Sequence, residues 1–125
     1  MRRILVTGLV GAAVACTHHA GTTPEPVPPA VAVTVNVTNN YASTMEIYAV
    51  GGGTSYHVGS VAPGIPRTFE LRPAMLAAGG RVRLVAQATG AGPRFQSDEL
   101  VLKSGDIVDF EILTNLIGSR VTVRP

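Results

Sequence analysis

Among the 125 residues, the side chains able to carry chemistry are few, and their spacing limits what they can do. Cys16 is the lone cysteine, so no intramolecular disulfide can form and any thiolate site rests on that residue. His57 is the one histidine beyond position 19 and stands beside Tyr56 in a stretch that reads as a strand. A serine–histidine–acid relay could use it, yet no serine sits on the tight elbow that such a nucleophile needs, and a solvent-facing strand histidine is the simpler reading. Two acidic pairs offer general acid–base chemistry. Asp98 and Glu99 are neighbours along a strand and point to opposite faces, whereas Asp109 and Glu111 share a face, most simply a solvated one. Arg81 and Arg83 also share a face, which Arg67, Arg72 or Arg94 could join. They form either a patch for an anionic partner or one half of cross-strand pairs with Glu70, Asp109 and Glu111, each worth under about 1 kcal/mol.

Metal chemistry is poorly provided for. A zinc set of nitrogen and sulfur ligands cannot be built from one cysteine and one isolated histidine. The acidic residues are too thinly spread for the six or more oxygens that calcium takes. His18 and His19 are adjacent but lack a third partner, and read as polar linker residues. No cofactor is implied. Gly8 and Gly11 in RRILVTGLVG imitate the start of a dinucleotide-binding turn, but Val14 stands where the third glycine belongs and prolines follow instead of a helix. Gly51-Gly52-Gly53 lacks the lysine and hydroxyl residue of a phosphate loop and is followed by TSYHV, so it reads as a hairpin turn.

The lone thiol gains meaning from its setting. Arg2 and Arg3 precede an uncharged apolar run from Ile4 to Ala15 that ends in small residues, the layout of a secretory signal. As a helix that run would be roughly 18 Å long against about 30 Å of hydrocarbon, too short to span a membrane. Its end, Ala13-Val14-Ala15-Cys16, resembles the lipobox of bacterial lipoproteins, with alanine where the usual leucine stands three positions before the cysteine. The resemblance covers residues 1–16. It implies a diacylglyceryl thioether on Cys16, cleavage between Ala15 and Cys16, and acylation of the freed amine, so that the partner is a membrane reached through lipid. Thr17, rather than aspartate, follows the cysteine, which by the same analogy favours the outer membrane in a diderm organism. The alternative is an ordinary secretory signal with an incidental cysteine.

Beyond the leader, residues 16–30 carry Pro24, Pro26, Pro28 and Pro29 with almost no apolar side chain. They read as a disordered or extended tether able to hold a domain up to roughly 40 Å away, at about 3.1 Å per residue. Charge then says little about partners. The pI of about 9.1 rests on the leader: lysine plus arginine number 10 and aspartate plus glutamate 8, so removing Arg2 and Arg3 leaves eight of each. Nothing in that balance, nor in three tyrosines and three phenylalanines, suggests nucleic acid.

Residues 31–125 suffice for one small domain. Val31, Val33, Val35 and Val37 alternate with Ala32, Thr34, Asn36 and Thr38, a period of two that predicts a strand. Further strands are predicted at 45–50, 55–61 with Tyr56 and Val58 inward, 67–71, 81–89, within 95–102, at 107–113 with Val108, Phe110 and Ile112 inward, and at 120–124. Pro73 to Ala78, with Gly79 beyond, predicts one short connecting helix. The expected fold is all-β: a single antiparallel β-sandwich of seven or eight strands, immunoglobulin-like in strand number and length. It lacks the buried tryptophan and paired cysteines of antibody domains. The expected function is a non-catalytic, membrane-anchored envelope module that binds a protein or cell-wall component. The alternatives are a secreted small-ligand carrier and a small envelope hydrolase using His57 or the Asp109/Glu111 pair.

Overall fold

The computed structural model describes residues 32–125. The predicted leader (1–15) and tether (16–30), with Cys16, His18 and His19, lie outside the described residues. Nine strands follow: β1 (Val33–Asn39), β2 (Met45–Gly51), β3 (Thr54–Val61), β4 (Arg67–Leu71), β5 (Arg81–Ala88), β6 (Arg94–Gln96), β7 (Leu100–Val101), β8 (Ile107–Ile112) and β9 (Arg120–Arg124). They form a four-stranded sheet, β4-β1-β8-β9, and a five-stranded sheet, β3-β2-β5-β6, in which β7 pairs the start of β5. The arrangement is sandwich-like.

Alternation builds the core. Val33, Val35 and Val37 of β1 and Val108, Phe110 and Ile112 of β8 are buried on the inner face of one sheet. Met45, Ile47 and Ala49 of β2 and Val82, Leu84, Ala86 and Ala88 of β5 are buried on the inner face of the other. The two sets make one cluster, joined by a tilted contact between Phe110 and Phe95 whose ring centroids are 5.8 Å apart. Period-two patterning fixes which face is inward, because a slip of one residue would expose the whole set.

Three expectations need correction. There are nine strands among the described residues, not seven or eight, because the segment expected as one strand splits into β6 and β7. The split falls at Ser97, whose hydroxyl accepts from Leu84 N–H at 2.9 Å and donates to Asp98 C=O at 2.8 Å, diverting the chain from the ladder. The pairing is not wholly antiparallel, since β1 runs parallel to β8 with Val35 opposite Val108 and Val37 opposite Phe110. The connecting helix at 73–78 is instead two 3₁₀ turns, Pro73–Met75 and Ala78–Gly80. Six residues are too few to offset α-helix nucleation, and the left-handed Gly79 (φ +79°) cannot continue a helix.

At the far end of β1, Asn39 is buried and fully used. Its side-chain amide donates to Ser43 C=O and Val61 C=O at 2.9 Å each, and its Oδ1 accepts from Tyr41 N–H at 2.9 Å. Its side chain ties the β1–β2 turn to the end of β3.

Candidate functional site

The outer face of the five-stranded sheet carries His57 of β3 and Arg81 and Arg83 of β5. His57 and Ser60 are three apart in β3 and would face opposite ways in a regular strand. A bulge lets them share a face: Ile47 pairs with Gly59 and Tyr48 with His57, so Val58 has no opposite number. Tyr56 and Val58, expected inward, are half-buried, and Val58 packs against the core. Both polar side chains then converge on Glu46 of β2. His57 Nε2 lies 2.6 Å from Glu46 Oε2, and the Ser60 hydroxyl donates to the same oxygen at 2.6 Å. The Tyr48 ring packs edge-on against His57 at 5.2 Å.

This cluster is not arranged as a nucleophile relay. A relay needs the serine proton to pass to imidazole, whereas here the serine and the imidazole both serve one carboxylate oxygen. The hydrogen bonds from Ser60 and His57 hold the Glu46 carboxyl below its ordinary value of 4.5. A carboxyl lowered on folding contributes stability above its unfolded pKa, and that contribution is lost as pH falls through the folded value. In acid titrations followed by circular dichroism, Glu46→Gln should be less stable than wild type at pH 6, and the difference should shrink below about pH 4.

Asp109 and Glu111 lie on the outer face of the opposite sheet. Arg124 donates to Asp109 through Nε at 2.6 Å and Nη2 at 3.2 Å, with Asn36 adding a bond at 3.2 Å. Arg124, then Asn36, keep the Asp109 carboxyl below its usual 3.8, unsuited to donating a proton near neutrality. Glu111 pairs with Arg120 at 3.3 Å. Of the two readings of the Arg81/Arg83 group, cross-strand pairing with these acids does not occur: they pair with the two arginines of β9, because β8 and β5 belong to different sheets. Among the described residues, no three histidine, cysteine, aspartate or glutamate side chains are grouped to hold a metal ion.

Arg81 and Arg83 do share a face, at the end of the five-stranded sheet where β2 turns into β3. Gly52 (φ +59°) and Gly53 (φ +77°) form the two-residue turn, a conformation that two successive non-glycine residues rarely adopt. Between this turn, the crossover at Ala77–Ala78 and the start of β5 lies an open cleft of about 480 Å³ walled by both arginines. Arg81 Nε is 4.0 Å from Glu99 Oε1, a loose and exposed pair. Arg83 has no ion-pair partner among the described residues, and its cross-strand neighbour on β2 is Val50. A second hollow of about 110 Å³ shares Val50 and runs over Tyr48 and Val85 to Arg94. Val85 is only 3% exposed although it points outward, because Tyr48 and Gln96 flank it on the neighbouring strands. Arg67 lies elsewhere, donating to Ser60 C=O at 2.6 Å and stacking 4.9 Å over Phe69.

The alternation of β5 makes the arginine pair legible from sequence. The convergence of Glu99, the glycine turn and the crossover is not, since these segments are distant along the chain. Cys16, the predicted lipidation site, lies outside the described residues. No protein-family model and no curated protein matches the chain. Among solved structures, it is similar to an NMR structure of a protein from Eubacterium rectale, with a TM-score of 0.45 and 12% identity over 74% of this chain and 87% of that one.

Proposed function

We propose that the protein is a bacterial lipoprotein of the cell envelope: a non-catalytic binding module held to a membrane by lipid on Cys16 and spaced from it by residues 17–30. The observation that carries this reading is the sequence Arg2-Arg3, an apolar run, and Ala13-Val14-Ala15-Cys16, with the one cysteine of the chain at the cleavage position. Two or three acyl chains, at about 0.8 kcal/mol per buried methylene, are ample for stable anchoring. The domain is of immunoglobulin-like kind, a reading supported by short strands in sheets of four and five around one core. The non-catalytic assignment is supported by the pairing of Asp109 with Arg124 and Glu111 with Arg120, and by His57 and Ser60 both serving Glu46. If the organism is diderm, the outer membrane is the proposed site.

Labelled palmitate supplied to the native host tests the anchor. Wild-type protein should take the label and sediment with membranes, and Cys16→Ala should lose both. Unlabelled wild type, soluble outside the inner membrane, would sink the reading and leave residues 17–30 as a loose leader to a secreted domain.

A further inference from the structure

We propose that the cleft beside the Gly52–Gly53 turn binds a free peptide C-terminus, whose carboxylate Arg83 receives. The proposal rests on the reading of the domain as a binding module and names the chemistry that the module recognises. It does not depend on the lipid.

Charge selects the class of ligand. Arg81 and Arg83 against the single Glu99 leave the cleft with one net positive charge, suited to a monoanion. Arg83 is exposed and unpaired among the described residues, so its guanidinium need not break an existing ion pair to engage a ligand. Its planar fork matches the two oxygens of a carboxylate in a bidentate arrangement. Glu99, beside Arg81, repels a second acidic group and disfavours a dianion such as phosphate.

Shape extends the argument beyond a bare anion. A volume of about 480 Å³ lies in the range of small-ligand sites. A Cβ placed at Gly53 would meet nothing within 4 Å, so the turn leaves the approach open. From Arg83 the surface passes to Val50 and on into the hollow over Tyr48 and Val85. That strip, lined by Tyr48, Val50 and Val85 together with Ser55, Gln87 and Arg94, takes the side chains of the one or two residues preceding the carboxylate. Small aliphatic residues suit it best, because the strip is shallow.

The test is an NMR titration of the 125-residue chain carrying Cys16→Ala, using acetyl-Ala-Ala-Ala as the free acid, the same peptide as its C-terminal amide, and inorganic phosphate. The free acid should shift the backbone amides of residues 50–53 and 81–83 saturably, and the amide should bind at least tenfold more weakly. Arg83→Gln should weaken the acid at least tenfold without changing the melting temperature, and Arg83→Lys should restore part of the loss. Equal binding of acid and amide, phosphate binding as tight as the peptide, or no saturable shift with the acid each overturns the proposal. The acid–amide comparison decides the matter on the unaltered cleft even if Arg83→Gln fails to fold. Failure here leaves palmitate labelling of Cys16 untouched, so the two readings fall separately.

Discussion

Replacing Phe110 with alanine should destabilise the domain by about 3–5 kcal/mol, as truncation of a buried phenylalanine generally does. Phe110 is 1% exposed, lies in β8 between Val37 of β1 and Val121 of β9, and reaches across to Phe95 on the opposite sheet. Truncation removes the largest fully buried side chain of the core and opens a void between the sheets. For a domain of this size, each kcal/mol moves the melting temperature by about 4–8 °C, so the midpoint should fall by roughly 12 °C or more. Val123→Ala on β9 is the control: Val123 is 37% exposed and should move the midpoint by only a few degrees. Thermal melts in which both variants behave alike would mean that the sheets do not pack through Phe110.

The second large effect comes from a backbone rather than a side chain. Gly80 ends the crossover at φ +75°, and its C=O accepts from Leu102 N–H at 2.9 Å. A Cβ added there would fall inside contact distance of the Leu102 carbonyl oxygen, a backbone atom that can yield only by breaking this bridge. The left-handed conformation alone costs an alanine about 1–2 kcal/mol, and the lost bridge adds about 1 kcal/mol more. Gly80→Ala should therefore cost about 2–3 kcal/mol in urea unfolding. Gly79→Ala has the same left-handed strain at φ +79° but nothing within 4 Å of the added carbon, and should cost about 1 kcal/mol less than Gly80→Ala. If the two alanines cost the same, the crossover is not pinned to Leu102.

Local patterning and non-local pairing differ in how well sequence reports them. The alternation of Val82, Leu84, Ala86 and Ala88, and that of Val108, Phe110 and Ile112, was legible because burial on one face imposes a period of two on the chain itself. The glycine hairpin was legible because its backbone angles exclude most other residues. The parallel pairing of β1 with β8 was not, since it joins segments about 70 residues apart and leaves no mark on either alone. The bulge at Val58 was equally silent, yet it alone brings His57 and Ser60 to the same carboxylate. Asn39 looks like any turn asparagine until Val61 C=O is seen to need its amide. The arginine pair of the cleft was readable as a face, but its partners arrive from three other parts of the chain.

Intact mass spectrometry of the protein extracted from its native host, with fragmentation of the N-terminal peptide, reads the state of Cys16 itself. The mature chain should begin at Cys16, lack residues 1–15 and carry a diacylglyceryl thioether on that cysteine. A chain cleaved at another residue, or one beginning near position 16 with a free thiol, would contradict it.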